Sequence, residues 1–172
     1  MKLTILTENH PGDKLLAEHG LSYLIEIDGK AILFDTGHSD VYLKNAAKLG
    51  IDIEQNVQTV VLSHGHLDHG DGLQFIKNKE LITHPVSFAS RFQKTDHSPV
   101  GLSLTKEDIQ KRFQLIETRE PFQLTEHLTY LGQIPRTITF ESQSTTFILE
   151  NGDDDFVLDD SALVATVNEE LI

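Results

Sequence analysis

Three imidazoles and one carboxylate fall within the six residues His64-Gly65-His66-Leu67-Asp68-His69. Side chains two apart on an extended strand point the same way, so His64 and His66 can reach one ion together, with Gly65 adding little bulk between them. Asp68 and His69, adjacent in the turn that follows, project toward a second position a few ångströms off. Imidazole nitrogens bind zinc at about 2.0–2.1 Å and carboxylate oxygens at about 2.0–2.2 Å. The alternative is a polar loop of solvated side chains. For a lone histidine that would be preferred, but this density of ligand types directly after a buried strand favours metal. There is no cysteine, so disulfides and thiolate ligands are excluded and imidazole and carboxylate must do the binding.

The flanking pattern supplies the scaffold. Residues 2–6, 21–27 and 31–34 read as strands, with Tyr23, Ile25 and Ile27 on one face. Asp28-Gly29 is a hairpin signal because both residue types tolerate positive φ. The third strand runs into Asp35-Thr36-Gly37. A helix is predicted over 41–49, with Asp40 as N-cap and Gly50 closing it. The β-branched run 57–62 suits a strand buried on both faces and delivers His64 at its end. A short helix at 73–77, a strand at 81–83, a helix at 86–92 and a helix capped by Thr105 follow. Short strand-like pieces over 113–147 and a strand at 162–167 complete a single domain, 1–172, of mixed α and β character.

The formal net charge of −13, from 14 basic and 27 acidic residues, argues against nucleic acid and anionic membrane as partners. Hydrophobic content of 38% is too high for general disorder. No apolar run suits a membrane span, and the first residues do not read as a secretory signal, so a cytoplasmic setting is expected.

His64-Gly65-His66-Leu67-Asp68-His69 resembles the H-x-H-x-D-H signature of the metallo-β-lactamase superfamily, and Asp35-Thr36-Gly37 resembles its first motif. The closer likeness is to the β-lactamase superfamily II metal-dependent hydrolases. It is carried by Ala17-Glu18-His19-Gly20-Leu21-Ser22, Ile32-Leu33-Phe34-Asp35-Thr36-Gly37, Gly132-Gln133-Ile134-Pro135-Arg136 and Asp159-Asp160-Ser161-Ala162-Leu163, and runs from about residue 3 to 167. Some relatives are synthases of a dihydropterin aminobenzene-ribofuranosyl phosphate.

The resemblance implies an αββα sandwich, an α/β (α+β) fold incomplete at its C-terminus, and a centre of two divalent ions, zinc expected and iron or manganese possible. His64 and His66 would serve one ion, and Asp68 and His69 the other. Asp68 would also orient the attacking hydroxide, with Asp35 supporting from behind and His19 at the mouth. The substrate would be a small molecule. Two departures stand out: Gly70-Asp71-Gly72 brings an extra carboxylate where the family has paired glycines, and the second half with its further ligands does not follow. Either the chain is a truncated form, or the missing ligands come from elsewhere, such as a homo-oligomer or a second chain. The alternatives to a hydrolase are an inactive chain that binds metal or a partner, and a pterin-related synthase. Among other residues, His84 reads as a loop histidine, and Arg136 as a guanidinium for an anionic substrate group or for a surface carboxylate.

Overall fold

The computed structural model describes residues 1–12, 14–138 and 143–172; the part of the predicted strand-like stretch at 139–142 lies outside them. Strands β1 (Lys2–Thr7), β2 (Ser22–Ile27) and β3 (Lys30–Phe34) form an antiparallel meander. The β2–β3 turn is the expected one, with Asp28 at φ 51° and Gly29 at φ 73°. Strands β4 (Thr59–Val61), β5 (Glu80–Thr83) and β7 (Gln114–Glu117) extend the sheet in parallel, giving the order β1-β2-β3-β4-β5-β7. A second sheet, in the order β12-β11-β9-β8, comprises β8 (Phe122–Thr125), β9 (Leu128–Tyr130), β11 (Leu163–Val167) and β12 (Glu170–Leu171). A small ribbon pairs β6 (Arg91–Gln93) with β10 (Phe147–Leu149).

Alternation along the large sheet divides the core in two. Leu24, Leu33, Val60 and Leu81 face Tyr42 and Ala46 of α1 (Val41–Lys48), Ile53 of α2 (Ile53–Asn56) and Ile109 of α4 (Lys106–Arg112). Ile25, Ile32, Val61 and Ile82 face Leu124, Leu128, Tyr130 and Ala165 of the second sheet. The layers are therefore α, β and β, and the burial of Val60, Val61 and Leu62 explains the unbroken apolar run there. This mixed architecture is that of the metallo-β-lactamase fold. Among the described residues, no helix is long and apolar enough to cross a membrane.

Three expectations are corrected. Residues 86–92 are not a helix: a turn at 85–88 leads into β6, because Arg91 is drawn into a buried ion pair and Phe92 bridges Pro99 and pairs with Ile148 of β10. The helix predicted at 73–77 is a 3-10 turn, Asp71–Phe75, directly after α3 (Leu67–Gly70). Asp40 does not cap α1 with its side chain; it pairs instead with Lys44 at 2.8 Å. Thr105 does cap α4, reciprocally with Asp108.

The two sheets are also joined at their turns, where Asp28 accepts from the Thr125 hydroxyl at 2.6 Å and from the His127 backbone N–H, and meets His127 Nδ1 at 2.9 Å. The Thr125 and His127 contacts lower the Asp28 pKa from 3.8 to about 2, and the Asp28 hydrogen bond raises that of His127 above 6.5. The Asp28 contribution is present above its ordinary 3.8 and fades as pH falls toward about 2. The His127 contribution is complete below 6.5 and is lost as pH rises through its folded value. The difference in melting temperature between the parent and Asp28→Asn is therefore expected to be largest at roughly pH 4–6 and to shrink on both sides. A difference that is flat from pH 3 to pH 8 would remove the ionic role.

Candidate metal centre

The carboxyl ends of β3 and β4 deliver Asp35 and Ser63–His69 to one edge of the large sheet. Asp35 is fully buried at φ 57°, a left-handed conformation rare outside glycine and costly to hold. Its carboxylate accepts from the Ser63 backbone N–H, the Ser63 hydroxyl and His69 Nδ1, each at 2.7 Å. Its turn is tied to α3 by the Thr36 N–H, which donates to the His69 carbonyl at 2.7 Å, and to the following turn by the Gly72 N–H on the Gly37 carbonyl at 3.0 Å.

These contacts fix the proton positions. A carboxylate only accepts, so His69 Nδ1 carries a hydrogen, and the neutral ring has its lone pair on Nε2. The Ser63 hydroxyl gives its hydrogen to Asp35, so it accepts from His64 Nδ1 at 2.9 Å, and His64 Nε2 is likewise left with a lone pair. Among the described residues, His66 Nε2 is buried without a hydrogen-bond partner.

The three rings pack together. His64 lies 4.7 Å from His66 and 4.3 Å from His69 between centroids, and Phe147 closes on His66 at 4.7 Å. Burial, then the neighbouring His69 and His66, pushes the His64 pKa down to about 3. Burial, then the charge of Arg91, lowers that of His66. Burial also opposes charging of His69, but the hydrogen bond and charge of Asp35 outweigh it and raise its pKa. Asp68 points its Oδ2 at His19 Nε2, 3.3 Å away, and at His69 Nε2, 3.7 Å away. His19 is 83% exposed at its side chain and also meets Asn9 Oδ1 at 3.1 Å.

All four sequence-predicted ligand residues are thus neighbours, with Asp35 behind His69 and His19 beside Asp68. Clustered imidazoles, two of them kept neutral by burial, an adjacent carboxylate and an orphaned buried nitrogen suit a divalent cation chemically. Among the described residues, no three of these donors converge on one point as a ready-made ligand set. The extra carboxylate, Asp71, is turned away from the cluster and accepts from the Ser103 N–H and hydroxyl at 2.8 and 2.6 Å.

Sequence reasoning missed the clamp on the histidine loop. Asp159 Oδ2 accepts from the Gly65 N–H at 2.8 Å, and its Oδ1 from Arg91 Nη2 at 2.7 Å. Arg91 Nε also lies 3.2 Å from Asp155 Oδ2, and all three side chains are buried. Burial works against charging Asp159, but the Arg91 charge and hydrogen bond prevail and lower its pKa. Gly65 permits the approach on the other side, since a Cβ there would overlap the Ser87 carbonyl. The aspartate pair at 159–160 was noticeable in the sequence, but nothing local linked it to Gly65. Arg136 donates to the Val157 carbonyl at 3.1 Å.

The description of the metallo-beta-lactamase superfamily matches residues 16–87, a span holding Asp35 and the whole histidine motif. An uncharacterized protein of Methanocaldococcus jannaschii is 31% identical over 169 residues, covering 95% of this chain and 65% of that protein. From the same organism, the 7,8-dihydropterin-6-methyl-4-(beta-D-ribofuranosyl)-aminobenzene-5'-phosphate synthase is 33% identical over 172 residues, covering 88% of this chain and 58% of the synthase. The crystal structure of a metal-dependent hydrolase of the beta-lactamase superfamily superposes with a TM-score of 0.82 at 27% identity, over 98% of this chain and 62% of that one. A quorum-quenching N-acyl homoserine lactone lactonase shares the fold at a TM-score of 0.57 and 15% identity, over 86% of this chain and 56% of that one. Residues 16–87 thus carry the metallo-β-lactamase superfamily's match, and the fold is that of a metal-dependent hydrolase of the superfamily. The chain spans less than two thirds of the length of each of these relatives, at 65%, 58%, 62% and 56%.

Removing one partner of a buried ion pair costs about 3–5 kcal/mol. Arg91→Met is accordingly expected to lower the free energy of unfolding in urea by about 3 kcal/mol or more. A loss below about 1 kcal/mol would show that Asp159 finds compensation elsewhere.

Proposed function

We propose that this chain carries the ligands of a metal-dependent hydrolase centre that acts on a small-molecule substrate in a cytoplasmic setting. The reading is supported above all by the three packed imidazoles at the end of β4, with His66 Nε2 buried and unpartnered. His64 and His66 would hold one divalent ion, and Asp68 and His69 a second, zinc by preference, with iron or manganese compatible with the same donors. Such ions supply a water that is nucleophilic at neutral pH and polarise the bond to be cleaved.

The chain's own residues prepare that chemistry. Asp35 holds His69 by Nδ1, and through Ser63 it holds His64, so in the neutral form each ring has its lone pair on Nε2. Phe147 and the surrounding burial keep His66 dry and neutral. Asp68 would orient the attacking water, and His19, 3.3 Å from it, would line the mouth. The strongly acidic surface is consistent with a partner that is neither nucleic acid nor anionic membrane.

A second reading, a pterin-related synthase built on the same motif, is supported by the 33% identical synthase. Product formed only with a pterin diphosphate would favour it, while turnover of lactone or phosphodiester substrates would favour hydrolysis. A third reading is a catalytically inactive chain that binds metal weakly or binds a partner.

Plasma mass spectrometry on protein purified without chelator is expected to find about two divalent ions per chain. His66→Ala should lose at least about one of them. Metal near zero in both proteins would withdraw the catalytic reading for this chain.

A further inference from the structure

A groove of about 590 Å³ opens along the same sheet edge as the histidines, and nothing above assigns it a ligand. Its position follows from strand register. Val61 pairs with Ile82 and Ile82 with Ile116, and the ladders continue through Leu62 N–H to the Ile82 carbonyl and Thr118 N–H to the Thr83 carbonyl. Ser63, His84 and Thr118 therefore stand level at the carboxyl ends of β4, β5 and β7. His64 and Arg119 each come one residue later. Neighbouring strands are about 4.8 Å apart, so the two residues are separated by roughly 10 Å along the crevice where α/β sheets bind ligands.

Arg119 is built into place. Its Nη1 donates to Gln133 Oε1 at 2.8 Å and lies 3.2 Å from Nε2 of buried His84. The Gln133 N–H donates back to the Arg119 carbonyl at 2.8 Å. Gly132, at φ 71°, lets that turn press on Arg119, where a Cβ would overlap the Arg119 carbonyl. Burial keeps the His84 pKa low, so its ring does not compete as a second cation.

Among the described residues, the Arg119 guanidinium meets only these neutral groups, although acidic residues outnumber basic ones 27 to 14. By contrast, Arg91 is neutralised by aspartates, and Arg112 is committed to the Gln74 and Ile76 carbonyls. Pro121, Leu131, Ile134 and Pro135 give the groove apolar walls, and Glu120 also lines it without an ion pair to Arg119 among the described residues. A positioned, uncompensated fork beside an apolar wall fits an organic oxyanion.

We propose that this groove is the recognition arm of the site and that Arg119, positioned by Gln133 and His84, binds the carboxylate or phosphate of a small substrate whose apolar part lies on Leu131 and Ile134. The role as a substrate arm rests on the hydrolase reading; the oxyanion site itself does not. It places the anionic group roughly 10 Å from the histidines, two strands away.

The test is an amide-shift titration of the full chain with phenyl phosphate and with benzoate, and with phenol as the uncharged control. It is run on the parent, on Arg119→Gln and on His66→Ala. At least one anion should bind the parent with shifts centred on Leu131, Gln133 and His84, and whichever binds more tightly identifies the phosphate or the carboxylate. Arg119→Gln should weaken that anion by about tenfold or more while phenol is unchanged. His66→Ala should bind it as the parent does, so the site would survive even if the metal reading failed. Failure of both anions to bind, equal binding by a folded Arg119→Gln, or shifts centred on residues 64–69 would each overturn the proposal.

Discussion

The centre depends on one buried carboxylate. Asp35 is held in a left-handed backbone conformation away from water, and it is tolerable there because three donors at 2.7 Å satisfy it. Each donor settles something different. The Ser63 N–H registers the end of β4, the Ser63 hydroxyl sets the His64 tautomer, and His69 Nδ1 sets the ring of α3. A backbone strain of about 1–3 kcal/mol at one residue thus organises two imidazoles that are five positions apart in sequence.

The second sheet contributes more than a core. Tyr130 and Ala165 cover one face of the large sheet, while Asp159, between β10 and β11, reaches the histidine loop at Gly65 and joins Asp155 on Arg91. Burial raises the Tyr130 pKa to about 12, so its hydroxyl stays neutral beside these carboxylates. The helical face, by contrast, supplies packing and caps, and the ligand residues sit where both layers meet the sheet edge.

Legibility in the sequence followed the range of the interactions. The β1–β3 meander, the Asp28-Gly29 turn, α1, the Thr105 cap and the histidine motif are all encoded within a few residues, and the structure shows each of them. Strand β6 was read as helix because its partner, β10, lies more than 50 residues downstream and three residues carry little period. Asp71 was placed near the metal ligands by sequence proximity, but the backbone turns it toward Ser103. Arg119 and Arg91 carried no local signal, and Asp159 stood in a family-like segment that did not link it to Gly65. Their significance comes from strand register and from partners far along the chain.

That distance has a consequence for how the protein reaches its native state. Gly65 and Asp159 are separated by 94 positions, and the hydrogen bond between them closes a loop spanning more than half of the chain. Contacts of such high sequence separation reward the chain only after the loop entropy has been met, and they slow folding. On the ribosome the histidines emerge well before the aspartate that holds their loop. Until the second sheet docks, the loop is held by Asp35 and Ser63 alone, and the clamp of Asp159 on Gly65 has still to form.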